Sequence, residues 1–460
     1  MRANNPNAAE STLESTTVEP PKSAGSVGML AWYGLCVLMF TTLFALVIRQ
    51  MLSLIAPSLQ ASMGYSDLQL GMLQGLGMAA FACVASFPMG WLADRYGRRL
   101  MLALGVALWS LATFVFAFQD GFTGLFLCTI GIAIGEAGLV PIVYAMIPDL
   151  FPERQRHVAN LIFYGGSVLG GGLGMALGGS LLEWLAVSSA SLPSAIASAE
   201  DWRIAMALVA LPGALLFLLV ATMPMGRQTS AIRASVAAEP SAPFMPYVAR
   251  HWRSLATVFS SLLCVAIASG AIMMWFPLAL PRAFGIDPAT VGVGLGQAVV
   301  IASIVGILLP GVALKVGQRL GGLQPIKVAT IFNGLACLPA MCLPFISSPL
   351  QAYIIVATQG AILVASSALM PGVIQDLAPP HLRSRVLSLL GIMNGLALAI
   401  SPLAVGVVSG LITGPRGLLY SITLVGLPSL VGAAILLMVA WRPYAETLSQ
   451  LQTAHSGEAS

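Results

Sequence analysis

Apolar runs of about 20 residues or more recur along nearly the whole chain, and this leaves few folds open. A helix rises 1.5 Å per residue, so each run is long enough to cross a hydrocarbon layer of ~30 Å. Twelve such spans can be read, at 28–57, 66–92, 99–118, 122–150, 157–184, 203–224, 254–281, 289–314, 326–346, 350–374, 385–411 and 417–441. The chain is 58% hydrophobic and only 8% charged, where a soluble protein carries about a quarter charged residues. No water-soluble core could hide that much apolar length. In lipid every backbone amide must find its partner within the protein, so the runs are expected to be helices. The expected fold class is an all-α polytopic membrane protein.

Polar segments divide the spans. Residues 1–26 are rich in Ser, Thr, Glu and Pro, without a basic stretch followed by a cleavable apolar core. They read as a flexible tail and not a signal peptide. Residues 225–253 form the longest polar interruption, with Pro240, Pro243 and Pro246. The expected units are a six-helix bundle at 27–224, a linker at 225–253, a second bundle at 254–442 and a tail at 443–460. Of the 21 Lys and Arg, only Arg203, Arg282 and Arg416 fall on one side of the alternating spans, and Arg49 lies inside one. The remainder collect on the side of both termini, which the positive-inside rule makes cytoplasmic. That placement accounts for the arginine clusters, and no nucleic acid is expected as a partner.

The two halves echo each other. Asp149-Leu-Phe-Pro152 followed by Arg156 returns as Asp376-Leu-Ala-Pro379 followed by Arg383. Gly90-Trp-Leu-Ala-Asp94-Arg95-Tyr-Gly97-Arg98-Arg99 returns in eroded form as Gly311-Val-Ala-Leu-Lys315-Val-Gly317-Gln-Arg319. Two related bundles joined by a basic loop fit the repeat logic of secondary transporters, with a solute site at midplane between them. Helix breakers such as Pro141, Pro212, Pro277, Pro310, Pro371 and Pro402 lie within spans, where a helix can bend during a cycle. In the fifth span Gly166, Gly170, Gly174 and Gly178 share one face, open to close approach by another helix, for packing alone or for sliding.

Two charges lie far from any span end: Arg49 in the first and Glu136 in the fourth. A lone charge at the bilayer centre costs ~3 kcal/mol or more, so such groups usually face an interior cavity and serve function. Two readings stand: an Arg49–Glu136 pair that holds the first bundle together, or a part in the transport cycle. In the second, Arg49 attracts a solute anion and Glu136 gains and loses a proton. Thr42, Arg49 and Ser53 share a helical face, a polar stripe toward a cavity. Tyr33, Tyr144, Trp275 and the flexible Met273 and Met274 are candidates for the apolar part of a solute site, or else ordinary packing. Among amides, Gln359 and Asn394, with Gln297 and Asn333, are candidates for a polar part. A clustered set would favour a small acid, and a large uninterrupted apolar cavity a lipid.

The four histidines lie in loops, at span ends or in the tail, and the six cysteines lack metal-type spacing. No Ser/His/Asp set, zinc motif or phosphate-cradling lysine loop is present, so neither an enzyme nor a cofactor is expected. The partners expected are a small organic or lipid-like solute, the bilayer and protons, with the chain a monomer.

The Gly90–Arg99 loop between the second and third spans resembles the signature loop of the major facilitator superfamily of transporters. That resemblance implies the major facilitator fold, twelve helices in two pseudo-symmetric six-helix bundles. Two readings of the loop charges stand, a staple within the loop beside positive-inside topology or a charge lock, and the resemblance favours the lock: Asp94 near the amino end of the eleventh span (Ser384, Arg385), with Arg98 bridging Asp94 and Asp149. Gly90, Asp94, Arg98 and Asp149 are then gating residues. Five segments narrow the likeness to Spinster-like transporters of bacterial type: Arg49–Pro57, Ser66–Gly71, Gly131–Ala137, Asp149–Pro152, and Trp202-Arg203 ahead of Leu211-Pro212-Gly213. Members of that branch include exporters of sphingosine-1-phosphate and lysophospholipids, and some are driven by protons. They usually place an acid directly before the arginine of the first span, where this chain has Ile48. Glu136 is then the only buried proton carrier, or the protein is a uniporter. The expected function is alternating-access transport of an organic, anionic and partly apolar solute across an inner membrane. A lysophospholipid or sphingoid-phosphate exporter is the alternative, and a transporter-shaped sensor a remote one.

Overall fold

The computed structural model describes residues 29–188, 199–223, 244–319, 323–379 and 382–458. The first half comprises α1 (Met29–Leu54), α2 (Ala56–Met63), α3 (Asp67–Gly71), α4 (Phe81–Tyr96), α5 (Arg98–Phe116), α6 (Phe122–Ala137), α7 (Leu139–Leu150), α8 (Glu153–Ser188), α9 (Asp201–Ala210) and α10 (Pro212–Thr222). A π-helical stretch, Met72–Ala80, joins α3 to α4. The second half comprises α11 (Phe244–Arg250), α12 (Trp252–Phe284), α13 (Pro288–Arg319), α14 (Pro325–Cys342), α15 (Pro349–Asp376), α16 (Arg383–Ser409) and α17 (Gly417–Glu458). Among the described residues, 12 helical segments are long and apolar enough to cross a membrane. The protein is a multi-pass membrane protein, and each span expected from the sequence has its helix. The last one differs at its end. It runs on to Glu458 through most of the stretch read as a tail, and the Tyr444 hydroxyl fastens it by donating to Asp376 Oδ2 at 2.8 Å.

Two broken spans show how sequence shapes these helices. The fourth divides at Gly138 because Pro141 has no N–H for the carbonyl of Ala137, four residues back. Ser86 takes that carbonyl, donating at 3.0 Å. The sixth divides at Leu211 for the same reason, with Pro212 opening α10. Trp202-Arg203 also gains a structural reason. Arg203 donates to the carbonyls of Ala117 and Gln119, at 3.0 and 2.9 Å, and pairs with Asp120, which closes the carboxyl end of α5. In the second half, the Tyr247 hydroxyl of α11 donates to the Leu377 carbonyl, and burial pushes its phenol up to about 12.

The halves meet along two seams that are equivalent under the internal repeat. One runs between the second and eleventh spans. A Cβ on Gly71 would lie 2.8 Å from the Pro402 carbonyl oxygen, and one on Gly75 2.7 Å from that of Ala399. The other runs between the fifth and eighth spans, where a Cβ on Gly172 would lie 2.8 Å from Val300 N and one on Gly179 2.6 Å from Val293 N. The face of Gly166, Gly170, Gly174 and Gly178 packs on α1 instead, against Met39, Leu46 and Leu54. α8 thus carries two bare faces, and the second one meets the other half.

The buried core differs between the two ends of the molecule. One apolar cluster joins the first half to Ala271–Leu280, Val291–Ala298, Val405 and Leu418 of the second, the end where Arg282 lies. At the opposite end, marked by Arg98, the second half has its own cluster around Val258, Phe332, Val373 and Leu437. Among the described residues the halves share an apolar core at the Arg282 end, while at the Arg98 end the second half keeps a core of its own.

Candidate functional site

Arg49 sits near the carboxyl end of α1, five residues before Leu54, and Glu136 in the last turn of α6, just before the break at Gly138. Arg49 Nη2 and Glu136 Oε2 are 3.2 Å apart. The carboxylate side chain is 7% exposed, its arginine partner 24%. The other carboxylate oxygen, Oε1, has no hydrogen-bond partner among the described residues. Arg49 therefore satisfies one side of a buried anion while keeping part of its guanidinium open to the space between the halves.

That space is a cavity of about 380 Å³ lined by Arg49, Gln50 and Gly171 from the first half and by Val265, Met273, Met274, Ser367, Asn394 and Leu398, among others, from the second. A second cavity of about 260 Å³ adjoins it, sharing Ser269, Met273 and Ser367 and adding Tyr164, Ser303, Val356 and Gln359. Both are lined mostly by apolar side chains, with few polar groups, the usual make-up of a small-molecule site.

Of the sequence-predicted site residues, Arg49, Gln359, Asn394, Met273 and Met274 are brought together here. The others stand apart. Thr42 spends its hydroxyl on the Leu38 carbonyl at 3.0 Å and lines a separate small cavity between α1 and α8. Ser53, the third member of the stripe, donates to Gln74 Oε1 at 3.4 Å. Tyr33 lies exposed near the start of α1, and Tyr144 packs edge-on against Phe163 with centroids 5.2 Å apart. Trp275 is 1% exposed and packs in the seam, where a Cβ on Gly71 would touch its ring. Aromatic rings fill seams and face lipid as readily as they line sites, which is why residue type alone misplaced them. The four amides form no single cluster. Asn333 is buried and accepts from Ser366 at 2.7 Å, and Gln297 is exposed on α13.

At the Arg98 end, Arg98 Nη1 donates to Asp149 Oδ2 at 2.8 Å and to the Ala145 carbonyl at 2.6 Å. Arg156 adds bonds to the carbonyls of Phe151 and Pro148. Two arginines thus gather at the carboxyl end of α7, where the helix dipole favours cations. The side chains of Asp94, Ser384 and Arg385 lie outside the described residues. Gly90 has open space around it. In the second half Asp376 accepts from the Tyr444 hydroxyl at 2.8 Å, and the side chain of the echoed Arg383 lies outside the described residues.

Sequence reasoning missed the contact at the Arg282 end. Arg282, at the end of α12, donates to Asp67 Oδ2 at 2.9 Å and also reaches Asp67 Oδ1 and Gln60 Oε1. Gln60 in turn donates to Asp67 Oδ1 at 3.1 Å and to the Tyr65 carbonyl at 2.8 Å. This ties the first half to the second directly across the seam. Its charges sit at span ends, where they look like orientation signals, and nothing in the spacing pairs them.

Comparison with known proteins agrees with this architecture. The sequence profile of the Major Facilitator Superfamily matches residues 38–402. Sphingosine-1-phosphate transporter SPNS2 of Mus musculus is 31% identical over 49% of this chain and 39% of its own length. An MFS-type efflux pump of Mycolicibacterium smegmatis is 26% identical over 95% of this chain and 93% of its own. A solved structure of a bacterial homolog to the human lysosomal transporter Spinster, inward-facing and occupied, superposes with a TM-score of 0.74 at 20% identity, covering 92% of this chain and 97% of that one. With two six-helix halves, paired seams and an arginine-bearing cavity between them, the chain belongs to the Major Facilitator Superfamily of transporters and is similar to its Spinster-like members.

Proposed function

We propose that this chain is a secondary transporter for an organic anion with a substantial apolar part, moved by alternating access between the two halves. The observation that carries this is Arg49, which lines the inter-half cavity while bonded to a buried acid. A solute anion reaching Arg49 competes with Glu136 for the same guanidinium. A buried carboxylate that loses its partner is costly by about 3–5 kcal/mol, and a proton removes that charge. Solute binding and proton uptake are then linked through one residue. With the basic end cytoplasmic, the Arg282 end faces outward from the inner membrane.

A second reading has support from the lining. Apart from Arg49 the cavities offer scattered hydroxyls and amides on largely apolar walls, which suits a single anionic head with an apolar tail. A lysophospholipid or sphingoid phosphate has that form, and the SPNS2 relatives are named as transporters of sphingosine-1-phosphate. Reconstitution into sealed vesicles tests the proposal. Labelled substrate should accumulate with an imposed pH gradient. Arg49→Ala should abolish uptake, and Glu136→Gln should retain binding but lose dependence on the gradient. Binding without any uptake would instead make the protein a sensor.

A further inference from the structure

Gln359 on α15 is 1% exposed and lines the second cavity, yet its Oε1 has no hydrogen-bond partner among the described residues. An unsatisfied amide in an apolar wall is costly by about 1–3 kcal/mol and needs a reason. Its neighbours along the helix show one. Val356, Gln359, Leu363, Ser367 and Met370 follow at three- or four-residue steps, so they form one stripe on α15. Val356, Gln359, Leu363 and Ser367 line the second cavity, and Ser367 and Met370 line the Arg49 cavity. The two cavities therefore form one slot along this face. Gln359 lies eight residues before Ser367, which is about 12 Å along the axis at 1.5 Å per residue. Arg49 is the charged group of the slot, and Gln359 is a buried amide in its other part.

We propose that Gln359 is a specificity-determining residue. It recognises a neutral hydrogen-bonding group, a hydroxyl or an amide, carried on the apolar part of the substrate. This deepens the transport reading and rests on Arg49 holding the anion. An amide both donates and accepts, so a hydroxyl fits it in either role. An unsubstituted chain leaves the amide unpaired in the occupied slot, and a site built to bond such a group selects against analogues lacking it.

The test compares two single-chain anions that differ only in that group. Stearate has a bare chain, whereas 12-hydroxystearate carries one hydroxyl well along it. Binding to the purified full chain is measured by titration and by thermal shift. The wild type should prefer 12-hydroxystearate by about tenfold, the equivalent of 1.4 kcal/mol. Gln359→Leu should lose the preference for 12-hydroxystearate while still binding stearate. Its ligand-free melting temperature should not fall, since the substitution removes an unpaired polar group from an apolar wall. Equal wild-type affinity for the two acids would overturn the role of Gln359 and leave Arg49 untouched. A preference that persists in Gln359→Leu would do the same. Binding of neither acid by the wild type would overturn the anion reading, and this inference with it.

Discussion

Arg49 and Glu136 hold each other at 3.2 Å in the membrane interior, and this pair makes two demands on any substitution. Removing Arg49 deletes the anion contact and also strands a buried carboxylate. Arg49→Ala should therefore lower stability by about 3–5 kcal/mol. Adding Glu136→Gln to it should return most of that loss, because a neutral amide replaces the stranded charge. The double variant should nevertheless stay unable to bind an anionic solute. Thermal melts of the two single variants and the double separate the effects, since groups in direct contact are not additive. Equal losses in Arg49→Ala and the double variant would show that the pair holds nothing together. These two residues were legible from the sequence because a charge deep in an apolar run has few explanations. Tyr33, Tyr144 and Trp275 were not, because an aromatic ring is equally at home against lipid, in a seam or in a site. The free Oε1 of Gln359 could not be read either. Whether a buried amide finds a partner depends on what the neighbouring helix brings to it.

Among the elements, the decisive contacts are those between helices of different halves. The second and eleventh spans approach through Gly71, Gly75 and Gly406, and the fifth and eighth through Gly172, Gly179 and Gly296. The sequence showed that the fifth span has a bare face but not which helix fills it. That span carries glycines on two faces, and the one with the regular four-residue step packs within its own half. Periodicity finds a smooth face, and only the fold chooses its neighbour. At the end of these seams Arg282 grips Asp67 and Gln60 across the halves. Hydrogen bonds to charged groups contribute about 1.5–3 kcal/mol each, so the contact is large enough to set which end is open. Arg282→Ala should shift the population toward opening at that end by about 2 kcal/mol, roughly thirtyfold. Distances between spin labels at the ends of α2 and α12 should lengthen, while those across the Arg98 end shorten. The exchanged pair Asp67→Arg with Arg282→Asp should recover part of the closure. Unchanged distances in Arg282→Ala would show that the glycine seams alone keep the end shut.

For the whole molecule, twelve spans and a repeated half could be read from apolar length and echoed motifs, but the state of the molecule could not. Among the described residues, it shows in how the cores meet, one joined across the halves at the Arg282 end and one confined to the second half at the Arg98 end. The walls of the Arg49 cavity then bear on the substrate. A small acid needs polar partners around most of its surface, yet Asn333 is committed to Ser366 and Gln297 lies outside. An amphiphile needs one anchor for its head and apolar walls for its body, which Arg49 and the methionine-rich lining supply. Two ligand panels decide between them: single-chain phosphates and lysophospholipids, against small aromatic and aliphatic acids. A ligand at 100 times its dissociation constant adds about 2.7 kcal/mol to stability, a shift well within reach of thermal melts in detergent. The amphiphiles should raise the melting temperature and Arg49→Ala should erase the rise. A rise with the small acids alone, also erased by Arg49→Ala, would keep the anion site but reject the apolar body. A rise that survives Arg49→Ala would move the binding site away from Arg49, and the link between solute and Glu136 would go with it.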